Sequence, residues 1–224
     1  ESDDVMLVTA LGRAIRFPTT DVRVFKGRDS TGVRGIRLAS GDRVVSMAII
    51  RHFDAEATER AAYLKQRRLM AGAPEEEIEA DEDEDAVAAG QLSPDRYAEL
   101  SAAEDLILTI TASGSGKLSS SHDYPVRGRG GQGVMAMDKA MRGGALVASF
   151  PVEISDQIML ATSTGQSIRV PVDGISFRSR SAGGVKVLTT ARGEEVVSVA
   201  WIADQGDDDT DDIAADPRPP GTQG

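Results

Sequence analysis

An all-β, propeller-type fold is what this 224-residue sequence predicts, and three observations predict it. Landmark residues recur with a spacing near fifty. The stretches between them read as short strands rich in Val, Ile and Thr. Twenty-three glycines supply many tight turns. A unit of about 50 residues and about four strands has the size of a propeller blade. One such sheet cannot bury both faces alone, so units must stack on each other.

The first unit, residues 1–50, opens on Asp3 and the apolar run Val5 to Leu11, closed by Gly12. The second, 105–154, opens on Asp105, runs Leu106 to Ala112 and reaches Gly114. The third, 155–203, opens on Asp156, runs Ile158 to Ala161 and reaches Gly165. Each glycine begins another extended stretch: Ala14-Ile15-Arg16-Phe17-Pro18, the looser Lys117-Leu118-Ser119-Ser120, and Ser167-Ile168-Arg169-Val170-Pro171. A Gly-Val pair follows in each unit, at Gly32-Val33, Gly133-Val134 and Gly184-Val185. Paired apolar residues then close each unit at Val44-Val45, Leu146-Val147 and Val196-Val197. Gly114 and Gly165 lie 51 residues apart and Gly12 and Gly114 lie 102 apart, one period plus an insertion. Three blades make half a ring, and the remaining blades are expected before Glu1, where the absence of an initiating Met marks a piece of a longer protein.

The insertion, residues 51–104, reads as partly helical and acidic. Asp54 is the expected N-cap of a helix running from Ala55 to Met70, with Gly72 and Pro74 as its stop. Glu75 to Asp85 holds nine carboxylates in eleven residues and is expected to be solvated or disordered. Ser93-Pro94 is a cap and first-turn pair for a second short helix ending near Ala103. The tail, 204–224, is rich in Asp, Pro and Gly and is expected to be disordered. Both acidic stretches read either as solubilising segments or as tethered polyanions that compete with phosphate for a basic face.

The formal net charge of −11 conceals an asymmetry. Residues 51–104 carry 15 acidic and 6 basic side chains, and residues 203–224 carry 7 and 1. The remaining body holds 14 acids and 18 bases and is therefore positive. The absence of cysteine excludes disulfides, thiolate metal sites and a cysteine nucleophile. No apolar run spans a bilayer and no signal peptide is legible, so a cytoplasmic protein is expected. Gly128-x-Gly130-x-x-Gly133 matches a dinucleotide fingerprint, but a strand rather than a helix follows it. Gly114-Ser115-Gly116-Lys117 fails as a phosphate loop, because Thr111 stands at the upstream glycine and Leu118 follows the lysine. His52 and His122 have no matching ligand set. Tyr97, Tyr124 and Trp201 read as packing residues.

The run Asp29-Ser30-Thr31-Gly32-Val33-Arg34-Gly35-Ile36-Arg37-Leu38, with Gly41-Asp42-Arg43-Val44-Val45-Ser46, resembles a late blade of the gyrase A C-terminal domain family. Asp156-Gln157-Ile158-Met159-Leu160, Gly165 and Ile168-Arg169-Val170-Pro171 resemble it too. The resemblance implies a β-pinwheel, a propeller-like ring whose neighbouring blades exchange strands. It implies double-stranded DNA wrapped on the outer rim with little sequence preference, in a type IIA DNA topoisomerase that supercoils DNA and associates with the chromosome. It also implies a gyrase B partner in an A2B2 enzyme. ATP, Mg and the cleaving tyrosine would belong to other parts, leaving no catalytic residue or cofactor in this stretch. The family's basic hallmark loop is absent in full; Arg127-Gly128-Arg129-Gly130-Gly131-Gln132-Gly133 is a degenerate relative. The alternatives are the related domain of topoisomerase IV and a propeller-type protein-interaction platform.

Cations recur in one loop of every blade. Arg23, Lys26 and Arg28 precede Gly32, Arg127 and Arg129 precede Gly133, and Arg178 and Arg180 precede Gly184. Arg34 and Lys186 follow the glycine, and Lys117 adds to the set. Equivalent loops of a ring lie on one rim, so these ten residues are the expected DNA contacts, made through phosphates rather than base edges.

Overall fold

The computed structural model describes residues 2–27, 29–72, 90–138 and 143–202. The acidic run at 75–85, the tail from 204 and Arg28 lie outside the described residues.

The first unit contributes β1 (Asp4–Thr9), β2 (Arg13–Pro18) and β3 (Val44–Ile50). The second contributes β4 (Leu106–Thr111), β5 (Ser115–Ser120), β6 (Val134–Met135) and β7 (Leu146–Val152). The third contributes β8 (Gln157–Thr162), β9 (Ser167–Pro171), β10 (Val185–Lys186) and β11 (Val196–Ile202). They form three antiparallel sheets with the orders β3-β1-β2-β6, β7-β4-β5-β10 and β11-β8-β9. Strand β6 belongs to the second unit by sequence, yet it pairs with β2 of the first, placing Arg13 opposite Met135. Strand β10 of the third unit pairs in the same way with β5 of the second. Neighbouring blades therefore exchange strands, and the fold is a β-pinwheel. Among the described residues the third sheet has three strands, and Gly32-Val33, the first unit's counterpart of β6, forms no strand.

Each landmark has a physical cause. Gly12, Gly114 and Gly165 have φ of +84°, +77° and +86°, the left-handed conformation that a hairpin turn needs there. Their N–H groups donate to the carbonyls of Thr9, Thr111 and Thr162. The same three threonines accept through Oγ1 from the N–H groups of Arg13, Ser115 and Gln166. This threonine is a landmark that the sequence pattern alone does not single out. The opening aspartates join units: Asp105 accepts from the Arg51 N–H and Nε, both at 2.8 Å, and Asp156 accepts from the Glu153 N–H.

Two cores fill the spaces between sheets. Met6, Val8 and Ala14 of the first sheet pack on Ile107, Tyr124, Ala136 and Leu146. Leu108, Ile110 and Leu118 pack on Ile158, Leu160, Val172 and Ile175. Each large aliphatic side chain among them contributes roughly 1.5–3 kcal/mol of transfer free energy. Tyr124 and Ile175 are buried as expected, while their counterpart Val22 is exposed and has no neighbouring sheet over it among the described residues. Trp201 is more than half exposed and donates to Asp156 of its own unit at 2.6 Å, so it does not fill a core.

Among the described residues of the insertion, α1 (Ala57–Met70) and α2 (Pro94–Ala102) pack together as a helical hairpin. The N-cap of α1 is Glu56, not Asp54. Glu56 and Glu59 form a reciprocal capping box. Asp54 instead pairs with His52. The second helix starts as read, with the Ser93 side chain accepting from the Arg96 N–H and Pro94 in the first turn. Tyr63, Leu64 and Leu100 make the hairpin's small core, ringed by Phe53, Leu92 and Tyr97.

Candidate nucleic-acid interface

The cation-bearing loops lie on the outer edge of the sheets, where one unit crosses onto its neighbour. After β5 the chain makes a 3-10 turn at Ser121–Asp123 and runs alongside β2, with Val126 bridged to Arg16. After β9 it repeats the manoeuvre, with Phe177 bridged to Leu118. The loop then returns as the exchanged strand. Gly133 permits the return: its φ is +68°, and a Cβ there would collide with the Ala14 carbonyl. Gly184 crosses the Gly116 backbone so closely that a Cβ would lie 2.8 Å from it. Gly32 has open space around it, since nothing precedes its unit in the described chain.

Arg129 and Arg180 occupy equivalent positions and make equivalent bonds. Arg129 donates through Nε to the Asp21 carbonyl at 3.0 Å and through Nη1 to the Arg34 carbonyl at 3.3 Å. Arg180 donates through Nε to the Asp123 carbonyl at 3.0 Å and through Nη1 to the Met135 carbonyl. Both arginines clamp one unit to the next. Their recurrence therefore has a structural cause beside any electrostatic one.

The two joints differ in how much charge they leave outward. At the first joint the loop of the second unit lies on residues 34–37, with the Gly130 N–H donating to the Gly35 carbonyl and the Arg37 N–H to the Gly131 carbonyl. This brings Arg34, Arg37, Arg127 and Arg129 to one exposed strip. None of the four is ion-paired among the described residues. Arg23, stacked 4.6 Å over the Phe25 ring, and Lys26 are also exposed in the first unit. At the second joint the charge is turned inward. Asp123 receives the Arg180 N–H at 2.8 Å and Arg68 of α1 at 3.0 Å. Arg178 is half-buried, and Lys186 is exposed but reaches the Ser113 carbonyl at 3.1 Å.

Lys117 departs from the expectation. It is fully buried, and its ammonium donates to the carbonyls of Ser179, Arg180 and Ala182 at 2.9, 2.5 and 2.6 Å. It staples the third unit's loop to the second and offers no surface to a phosphate. Arg37 joins the strip without having been among the expected contacts. Its signal is the alternation in Gly35-Ile36-Arg37, which sends Ile36 into the core beside Phe17 and the arginine outward.

The model of the DNA gyrase C-terminal domain, a β-propeller, matches residues 3–51, 105–152 and 156–200. The chain belongs to the DNA gyrase C-terminal domain family. The three matched stretches bracket the helical hairpin, which in this family member stands outside the repeat. The DNA gyrase A protein of Granulibacter bethesdensis is 44% identical over 96% of the chain, and that of Rickettsia bellii is 37% identical over 95%. The chain spans about a quarter of these relatives, 24% and 23% of their lengths. A solved DNA gyrase A C-terminal domain superposes with a TM-score of 0.61 at 19% identity, covering 91% of the chain and 52% of that domain. The C-terminal domain of DNA topoisomerase IV gives 0.60 at 21%, covering 89% and 46%. At these identities the likeness carries the fold alone. Among the described residues no helix is long and apolar enough to cross a membrane.

Proposed function

We propose that this chain is a DNA-wrapping module of a gyrase A protein, binding double-stranded DNA through its phosphates on the outer edge of the pinwheel. The observation that carries this reading is the strip of Arg34, Arg37, Arg127 and Arg129 at the first joint. It draws cations from two units onto one surface and leaves them without carboxylate partners among the described residues. Arginine grips phosphate oxygens through two donors at once, and glycine loops let backbone approach closely. Exposed Arg23, Lys26 and Lys186 extend the track, Arg178 and Arg180 contribute to it less because charge at the second joint is turned inward, Lys117 is left out of it, and Arg28 lies outside the described residues. The module works as the non-catalytic part of an A2B2 gyrase, alongside the gyrase B partner. ATP and Mg act elsewhere in that cytoplasmic, chromosome-associated enzyme. Relatives named as gyrase A proteins favour this reading over a topoisomerase IV domain.

Salt dependence tests it. Each phosphate neutralised contributes about −0.9 to the slope of log K against log salt. Arg37 and Arg127 make no side-chain hydrogen bond within the described fold, so R37A/R127A removes charge without loosening a joint. The slope should flatten by about 2 for every duplex sequence alike. An unchanged slope, or a loss confined to one sequence, overturns the phosphate track.

A further inference from the structure

The unit that follows the helical hairpin also carries a key to it. His122 lies in the 3-10 turn Ser121–Asp123, where the other two units have the exposed Thr20 and Asp173. Its ring is buried among the hairpin's own side chains. Tyr63 of α1 stands edge-on at 5.2 Å and Phe53 at 6.0 Å. Nε2 lies 2.8 Å from the Leu100 carbonyl of α2. A carbonyl only accepts, so Nε2 carries a proton. Burial holds the His122 pKa below its ordinary 6.5, so the docked ring is neutral imidazole at neutral pH.

Burial is what opposes a second proton on this ring. The Leu100 carbonyl and Glu104 after α2 favour it, Arg16 from β2 and Arg60 from α1 oppose it, and burial outweighs them. Tyr63 contributes no charge, because burial pushes its phenol far up. Asp123, next in the chain, already holds Arg68 and the Arg180 N–H. Beyond the key, the last turn of α1 straddles the joint between the second and third units. Arg68 is on Asp123, and Arg67 stands 4.4 Å over the Phe177 ring.

We infer that the helical hairpin is a clasp over the second joint, keyed by neutral His122 and released when that imidazole takes up a proton. Protonation adds one charge and one N–H donor to an apolar enclosure, and undocking returns the imidazolium to water. Release takes Arg68 off Asp123 and Arg67 off Phe177 while the hairpin's root stays tied. There Arg51 holds Asp105 at 2.8 Å, and His52 sits 3.0 Å from Asp4 and 3.2 Å from Asp54. Burial pulls the His52 pKa down, but the two carboxylates outweigh it and raise it. That tie is fully present below the ordinary histidine pKa and is lost only as pH rises through the raised value. Acid therefore opens the far end of the hairpin and spares its root.

Hydrogen–deuterium exchange of the full-length chain, corrected for intrinsic rates, tests the clasp. Below the ordinary pKa of His122, protection of α1 should fall by up to about tenfold per pH unit, and protection of β4 and β7 should hold. H122Q, which keeps a donor for the Leu100 carbonyl but cannot titrate, should hold α1 protection flat across the same range. Constant α1 protection in the natural chain overturns the proposal, as does loss of β4 and β7 together with α1. If H122Q does not fold, an NMR titration of the natural chain decides. The His122 Cε1 proton and the α1 amides must then change with one midpoint, and two separate midpoints overturn the clasp.

Discussion

At the scale of single residues, equivalent positions in the repeat behave differently according to what lies across the joint. Gly133 and Gly32 are the same landmark, yet only Gly133 crosses a neighbouring backbone. G133A forces a Cβ onto the Ala14 carbonyl at positive φ and should cost about 1–3 kcal/mol or more. G32A should stay within about 0.5 kcal/mol. Thermal melts of the two variants check the contrast, and equal melting temperatures would mean that the exchange at Gly133 contributes nothing. Lys117 gives a second contrast. K117M leaves three carbonyls without their donor, at about 1–3 kcal/mol for each buried group orphaned. Its melting temperature should drop by several degrees while the salt slope for DNA stays the same. A flattened slope at full stability would return Lys117 to the DNA track. The place of Lys117 in the repeat already separates it from the loop cations, since it stands 102 residues after the buried Ile15 in an equivalent strand, but the carbonyls that hold its charge come from a loop 62 to 65 residues further on and are not legible in the sequence.

At the scale of elements, the strands are legible in the sequence because their alternation and turn glycines are local. The helix start is not. Asp54 is the better intrinsic cap, but His52 claims its carboxylate, and the reciprocal pair Glu56–Glu59 takes over. Glu59 also accepts from Arg96 of α2 at 2.8 Å, and that arginine holds its carboxyl below the usual glutamate range. E59A should therefore loosen both helices together, with the cap alone contributing about 0.5–2 kcal/mol. Exchange of the α1 and α2 amides measures it; a change confined to the first turn of α1 would show that the Arg96 contact is idle. Strand exchange is legible only through family resemblance, since two-residue segments such as β6 and β10 leave no periodic signal of their own.

At the scale of the whole molecule, the division between clamp and track matters. Recurrence alone marks Arg129 and Arg180 as phosphate contacts, but both also hold units together. In an intact gyrase, neutralising Lys26, Arg37 and Arg127 should reduce supercoiling far more than relaxation, because these side chains carry charge without bridging units. Equal loss of both activities would assign the residues to folding or cleavage instead. Bending 20–30 base pairs costs on the order of 1–6 kcal/mol, which several exposed contacts per joint can offset. The candidate strip is half legible: its residue types recur in sequence, but the inward turn of charge at the second joint depends on Asp123 meeting Arg68 across the insertion.

The borrowed outer strands also set a timetable for synthesis. The first sheet has three strands once Ile50 has emerged, but its fourth begins only at Val134. At about 5–20 residues per second, those 84 residues take the ribosome roughly 4–17 s. The second sheet waits from Val152 to Val185, which is 33 residues and roughly 2–7 s. The hairpin thus more than doubles the time that the edge of β2 spends unpaired on the nascent chain. That edge carries the exposed Arg13, and charge on an open strand discourages pairing with a wrong partner. Removing the insertion would shorten the wait, so the insertion sets the tempo of assembly as well as clasping the finished joint.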